Sequence, residues 1–141
     1  MGYREVPHTA DWALHVWAED LPQLFIEAAR GMYALAGAQA EEAPGPHHAS
    51  SAARVFEVQG TDAEALLVAF LSELLYAQEQ ENVLLEDFVL EISPGEIWHL
   101  KATAKARPLR SLVKAIKAVT FHNLSIRRTE QGFETEIVFD V

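Results

Sequence analysis

Two periods of hydrophobic and polar positions run through the first forty residues, and each predicts a different kind of element. Along Trp12–Ala18 one set of side chains (Trp12, Leu14, Val16 and Ala18) alternates with another (Ala13, His15 and Trp17), and this period of two indicates a strand. Another short strand is predicted for Tyr3–Pro7. Between Leu21 and Ala36 the apolar residues recur at intervals of three and four, so a helix with one buried face is predicted. Asp20 is expected to cap this helix and Gly37 to end it.

The middle of the chain is predicted to contain a loop, a strand and a second helix. Residues 38–53 are rich in Ala, Pro, Gly, His and Ser with little periodicity, which is typical of an exposed loop. Arg54–Gln59 is predicted to be a strand. Thr61-Asp62-Ala63-Glu64 matches a capping box. The helix that it opens carries a wide apolar stripe: Leu66, Leu67, Phe70, Leu71, Leu74 and Leu75.

The last third of the chain is predicted to hold a hairpin, a third helix and two further strands. Asn82–Ser93 and Glu96–Ala106 flank Pro94-Gly95 and indicate a β-hairpin that Arg107-Pro108 ends. A third helix is predicted from the spacing of Leu109, Leu112, Val113 and Ile116. Two strands follow, at Asn123–Thr129 and Phe133–Val141. This order of elements predicts an α+β fold, with a largely antiparallel β-sheet system and about three packed helices.

Composition narrows the class of protein and the kinds of site. With 141 residues, half of them hydrophobic, the chain is expected to form a single globular domain over residues 1–141. It has no cysteine, which excludes a disulfide scaffold, a thiolate nucleophile and a zinc site built on sulfur. No apolar stretch reaches the length of a membrane span, so we expect a soluble, cytoplasmic protein without a membrane partner.

Charge is unevenly distributed along the chain. The formal net charge is −10; residues 1–100 hold 3 basic and 17 acidic side chains, whereas residues 101–141 hold 8 basic and 4 acidic ones. A strongly acidic chain disfavours tight binding to nucleic-acid backbones. It suits metal cations or a basic protein partner better than RNA.

The first segment that could carry chemistry is His8-Thr9-Ala10-Asp11, in the predicted turn between the first two strands. In one interpretation Thr9 or Asp11 satisfies the amides of the turn. In the other, Asp11 is a hard oxygen ligand for a metal and His8 supports it. The chain contains no Gly-rich phosphate loop, no G-x-S-x-G elbow and no H-E-x-x-H helix, so no common hydrolase signature accompanies this segment.

The second candidate lies at the C-terminus, where an apolar strand runs to the last residue. An ordered strand there would place the Asp140 carboxylate beside the α-carboxylate of Val141, and two neighbouring anions need a cation or hydrogen-bond donors to compensate them. With Asp11 they would form a set of three carboxylates, which Mg²⁺ or Ca²⁺ prefers. Alternatively, Asp140 is a solvated residue at a sheet edge. Spacing alone does not bring Asp11 to Asp140.

The third candidate is basic. Arg110, Lys114 and Lys117 are spaced to form a stripe on the predicted third helix, either as a solvated face or as a contact for RNA or a partner. His122 follows the same helix and would interact favourably with its C-terminal dipole.

The order of these segments resembles the archease family, small protein cofactors of RtcB-type RNA ligases. The resemblance covers nearly the whole chain and is carried by these segments: His8-Thr9-Ala10-Asp11, Leu24-Phe25-x-x-Ala28, Leu66-Leu67 to Glu73-Leu74-Leu75-Tyr76, Lys117-Ala118-Val119-Thr120-Phe121-His122 and Phe139-Asp140-Val141. The chain departs from the family pattern at three places: Ala77-Gln78-Glu79-Gln80 lacks a common aspartate, Phe121 replaces a tyrosine, and Pro7 replaces an acidic residue.

The resemblance implies an α+β fold and a site for a divalent metal ion (Ca²⁺ or Mg²⁺) held by Asp11, Asp140 and the terminal carboxylate of Val141. His8, Lys117 and His122 would support that site. It also implies a protein that promotes guanylylation and repeated turnover of the ligase in tRNA splicing and RNA repair, contacts RNA only through the ligase, and has no catalytic cycle of its own. Two alternatives remain: a metal-dependent phosphohydrolase that uses Asp11 and Asp140, and a small RNA-binding chaperone that uses the basic stripe.

Overall fold

The computed structural model describes residues 1–6, 12–41 and 52–141. In chain order the elements are β1 (Gly2–Val6), β2 (Trp12–Ala18), α1 (Leu21–Ala36), β3 (Gln39–Ala40), β4 (Ala52–Gly60), α2 (Ala63–Glu81), β5 (Val83–Ser93), β6 (Trp98–Ser111), β7 (Ala118–Val119), β8 (Arg127–Thr129) and β9 (Gly132–Asp140). Helices and antiparallel strands occur together, so the predicted α+β class is confirmed.

The strands form two antiparallel sheets. In the first, β9 is central: it pairs with β2 on one side, β2 pairs in turn with β1, and the short strands β7 and β8 also pair with β9. In the second, β6 is central and pairs with β3, β4 and β5. Because β9 pairs with both β2 and β7, the first sheet places residues from near the start of the chain next to its last residues.

Each helix packs mainly on one sheet and also contacts the other, and the two helices meet in the core. Helix α1 packs mainly on β1 and β2 and also contacts β9 and β5, whereas α2 packs mainly on β4, β5 and β6 and also contacts β7. The rings of Phe25 on α1 and Phe70 on α2 are fully buried, with centroids 5.8 Å apart. The ring of Phe70 also contacts the rings of Phe56 and Phe88. Phe70 therefore joins both helices and the second sheet in one hydrophobic core.

Local capping chemistry explains where the helices begin and end. The Asp20 carboxylate accepts a 2.8 Å hydrogen bond from the N–H of Gln23, and Gly37 ends α1 in the left-handed conformation, as the sequence predicts. The cap of α2 differs from the predicted box: Asp62 rather than Thr61 is the N-cap. The Glu64 carboxylate does not reach back to the cap but accepts a 2.9 Å hydrogen bond from the N–H of Ile126, which ties α2 to the segment before β8.

The prediction of a third helix is wrong. Strand β6 continues through Arg107-Pro108 to Ser111, and residues 112–117 form neither helix nor strand. The described residues therefore hold two helices rather than about three. Pro108 is accommodated in β6 because only its donor is missing; its carbonyl oxygen still accepts a hydrogen bond from the N–H of Glu41. Neither described helix is long and apolar enough to cross a lipid bilayer.

Candidate functional site

The pairing of β2 with β9 positions the candidate site. Seven residue pairs join these strands, from Ala18 opposite Phe133 to Trp12 opposite Phe139. The start of β2 and the end of β9 therefore meet at one end of the first sheet. His8 and Asp11, which were predicted from the sequence to lie at this site, fall outside the described residues. Their roles stay predictions.

Asp140 is held by its main chain while its side chain remains exposed. It is the last residue of β9 and lies opposite Ala118 of β7. Its carbonyl oxygen accepts a 2.8 Å hydrogen bond from the N–H of Lys117. None of the ion pairs among the described residues involves the Asp140 carboxylate. The side chain of Val141 is half-buried and packs against the core, which anchors the end of the chain.

Lys117 and His122 flank β7 on opposite ends. The N–H and the hydroxyl of Thr120 both donate to the carbonyl oxygen of Val138, at 3.0 Å each, so the chain after β7 stays bound to β9. The N–H of His122 then donates to the Thr120 hydroxyl, and its ring lies 3.3 Å from the Asn123 side-chain nitrogen. His122 therefore follows a strand, not a helix, and its predicted interaction with a helix dipole is wrong.

Among residues 1–6, 12–41 and 52–141, no three His, Asp or Glu side chains are grouped so that they could hold a metal ion. The set predicted from the sequence combines Asp11, outside these ranges, with Asp140 and the main-chain carboxylate of Val141. That set therefore remains a prediction. What the described residues do provide is the exposed carboxylate of Asp140, a hard oxygen donor of the type that Ca²⁺ and Mg²⁺ prefer.

The basic residues do not form a helical stripe. Arg110 lies in β6, and Lys114 and Lys117 lie in the irregular segment that follows. Because no helix forms here, their spacing does not place them on one helix face. The N–H groups of Val113 and Lys114 both donate to the carbonyl oxygen of Ala36, at 2.9 and 3.0 Å. These bonds fix the segment against the end of α1.

A cleft of about 540 Å³ opens between the end of α2 and residues 109–117. Polar and charged residues line it (Gln78, Glu79, Asn82, Arg110 and Lys117), together with apolar ones (Leu75, Leu109, Leu112, Ala115 and Ile116). Lys117 is thus part of the cleft and also the residue whose N–H holds Asp140. Sequence reasoning missed Gln78, because a glutamine on a mostly apolar helix carries no signal of its own.

The fold has close counterparts among solved structures. The solution structure of protein 1598 from Methanobacterium thermoautotrophicum matches 99% of this chain and 99% of its own, with a TM-score of 0.74 at 24% identity. The crystal structure of an archease and possible chaperone from Thermotoga maritima covers 98% of this chain and 96% of its own, with a TM-score of 0.65 at 17% identity. At these identities the likeness establishes the fold.

Sequence relatives establish the family. Proteins named archease from Methanopyrus kandleri and Archaeoglobus fulgidus are each 30% identical to this chain over the full length of both partners. The profile of the Archease protein family matches residues 3–141. The resemblance seen in the ordered segments of the sequence is thereby confirmed, and the chain belongs to the archease family.

Proposed function

We propose that this protein activates an RtcB-type RNA ligase by promoting its guanylylation and its repeated turnover, in tRNA splicing and RNA repair, and that it acts in the cytoplasm without catalysing a reaction itself. Family membership supports this proposal. A relative of known structure, from Thermotoga maritima, is described as a possible chaperone, which is a protein that acts on another protein. In this proposal RNA is reached only through the ligase.

The observation that carries the proposal is the register of β2 and β9. Asp11 is bonded to Trp12, Asp140 is bonded to Phe139, and Trp12 lies opposite Phe139. The residues next to the two aspartates are thus paired, and the proposed metal site needs the two aspartates to be close. Asp11, Asp140 and the terminal carboxylate of Val141 would then hold one divalent cation, Ca²⁺ or Mg²⁺, and the donor set fits because all of its atoms are hard oxygens. When bound, the cation would neutralise the carboxylates and act as a Lewis acid toward an oxygen group supplied by the ligase.

Two of the residues proposed to support this site form main-chain hydrogen bonds that position its backbone. Lys117 fixes the Asp140 main chain by its N–H, and His122 lies in the turn that Thr120 ties to β9. His8, which the sequence predicts to lie in a turn before β2, would support the site from there. An activator with a net charge of −10 also has charge complementary to that of a basic, RNA-handling ligase, which would speed their association.

Guanylylation of the purified cognate ligase tests the proposal. The ligase is incubated with labelled GTP, and the GMP bound covalently to it is followed over time. The protein should accelerate this step, and Asp11→Asn and Asp140→Asn should abolish the acceleration. Glu136→Gln is the matched control, because Glu136 is another exposed carboxylate on β9. An unchanged rate with the unmodified protein would refute the proposal.

Hydrolysis assays separate this function from the enzymatic alternative. The purified protein with Mg²⁺ or Ca²⁺ should release no phosphate from generic phosphomonoesters and phosphodiesters above the level of the metal alone. Turnover that disappears in Asp140→Asn would instead support a metal-dependent phosphohydrolase.

A further inference from the structure

Beside the cleft between α2 and residues 109–117 lies a buried side-chain oxygen without a hydrogen-bond partner among the described residues. Gln78 lies in the last turn of α2 and is only 9% exposed, yet its Oε1 has no hydrogen-bond partner among the described residues. Buried side-chain oxygens without a partner are rare in folded proteins, because the cost of removing them from water is not compensated. Gln78 also lines the cleft, and its Oε1 is closed to solvent in the free protein, so a ligand would supply that partner once the amide turns toward the cleft.

The same cleft carries a local excess of positive charge. Among the described residues that line it, Arg110 and Lys117 face one carboxylate, that of Glu79, in a chain whose net charge is −10. Neither Arg110 nor Lys117 forms an ion pair with a described residue. Their charges are therefore available to an anionic group, and a guanidinium in particular binds carboxylate in a fork-like geometry.

The remaining lining is mostly aliphatic, with two uncharged polar residues, Asn82 and Ser111. Leu75, Leu112 and Ile116 form part of the wall, and no aromatic ring occurs among the described residues that line the cleft. Single-stranded nucleic acids are usually held by stacking their bases on aromatic side chains along a strongly basic groove. An aliphatic wall with two cations and one carboxylate lacks that chemistry but suits an aliphatic side chain beside a carboxylate.

From these features we propose that the cleft binds an extended segment of a partner protein. The side-chain amide of Gln78 has a carbonyl oxygen that accepts and an NH₂ group that donates. It can therefore pair with both the N–H and the C=O of a main-chain peptide group of the segment. The aliphatic wall takes a leucine-like side chain, and Arg110 with Lys117 takes a neighbouring carboxylate. A volume of about 540 Å³ lies within the range of ligand-binding clefts.

The position of the cleft gives this docking a consequence for the candidate metal site. Lys117 lines the cleft, and its N–H donates a hydrogen bond to the carbonyl oxygen of Asp140. A partner segment seated there would lie next to the end of β9. The inference rests on the proposed function in one respect: the partner that supplies the segment is the ligase.

A peptide titration tests the cleft directly. The probe is an acetylated tripeptide amide with glycine, leucine and aspartate, added to ¹⁵N-labelled protein; the same peptide with asparagine in place of aspartate is the neutral counterpart. The acidic peptide should shift the backbone amides of residues 78–82 and 109–117, and the neutral peptide should bind more weakly. Arg110→Gln and Gln78→Leu should each weaken binding of the acidic peptide by about tenfold, the scale of one charge-assisted or buried hydrogen bond.

Lys114→Gln is the matched control. Lys114 is an exposed cation of the same segment that does not line the cleft, so its variant should bind the acidic peptide as the unmodified protein does. If Gln78→Leu fails to fold, as its thermal unfolding would reveal, Arg110→Gln decides alone. Absent shifts at millimolar peptide, equal losses in Arg110→Gln and Lys114→Gln, or shifts of these amides by a uridine tetranucleotide and not by peptide would each overturn the inference.

The ligase assay distinguishes the two proposals from each other. If the ligase is activated equally by the unmodified protein, Arg110→Gln and Gln78→Leu, the cleft is not its docking site although the proposed function stands. If the acidic peptide binds as expected but the ligase is not activated, the docking chemistry stands and its assignment to the ligase is wrong.

Discussion

Trp12 and Phe139 lie directly opposite each other in the antiparallel pair of β2 and β9, although 127 positions separate them in the sequence. This pairing brings the segment after the first predicted turn to the end of the chain. Asp140, which follows Phe139, is in turn fixed by the N–H of Lys117.

Asp140→Asn should remove specific binding of Ca²⁺ or Mg²⁺ while the fold persists, because the side chain is exposed and contributes no core packing. The loss should exceed the roughly 10- to 100-fold that removal of an outer-shell partner costs at a metal site. Calorimetric titration measures it, with Glu136→Gln as the control. Asp11→Ala should behave like Asp140→Asn. Affinity that either variant retains in full would remove that residue from the ligand set.

Extending the chain beyond Val141 should also weaken metal binding. An added residue moves the terminal carboxylate away and leaves a neutral peptide carbonyl at Val141, so one anionic ligand is lost. The same titration on a C-terminally tagged and an N-terminally tagged protein provides the comparison. Equal affinities would mean that Val141 contributes only its packing against the core.

Tyr33 should make the protein sensitive to alkaline pH. Burial raises the pKa of this phenol from 10.0 to about 12, although its oxygen accepts a 3.2 Å hydrogen bond from the N–H of Leu85. Between these values the folded state keeps a proton that the unfolded state has lost. The free energy of unfolding should therefore fall as pH rises through this window, by up to about 3 kcal/mol.

Tyr33→Phe is the corresponding control. It should lose this alkaline dependence and, at neutral pH, be less stable by about 1–3 kcal/mol because the buried N–H of Leu85 loses its acceptor. Denaturant unfolding of both proteins at neutral and alkaline pH measures the two effects. An identical alkaline slope in the variant would show that another group causes it.

Local chemistry was the part of the fold that the sequence predicted best. Asp20 and Gly37 act on backbone groups only a few residues away, so the type of residue nearly determines the role. The alternation along Trp12–Ala18 likewise reports a strand with one buried face, which the structure has at the predicted bounds. These features depend little on the rest of the chain.

The third helix was predicted from apolar spacing alone, and the structure shows why that spacing was not sufficient. Leu109 and Ile116 are buried as a helical stripe requires, but Val113 between them is 84% exposed. The backbone N–H groups of Leu109, Val113 and Lys117 donate to carbonyl oxygens of Asn82, Ala36 and Asp140, all remote in sequence. Spacing cannot reveal that distant acceptors compete for the donors that a helix would use.

The candidate site divides in the same way. Residue chemistry could single out Asp140 and Val141 as oxygen donors, but bringing the two ends of the chain together needed the register of β2 with β9. Gln78 could not be selected from the sequence at all. Its amide oxygen is buried without a hydrogen-bond partner among the described residues, and the residue lines one cleft with Arg110 and Lys117. Both are properties of the assembled fold.

The most direct test of the proposed function is the amount of RNA joined per molecule of ligase. Cognate ligase is given excess GTP and RNA ends that carry a 2′,3′-cyclic phosphate and a 5′-hydroxyl, with and without substoichiometric amounts of this protein. We expect near-single turnover by the ligase alone, sustained turnover when the protein is added, and no joining by the protein without ligase. Product that stays near one equivalent of ligase in the presence of the protein would contradict the activator function.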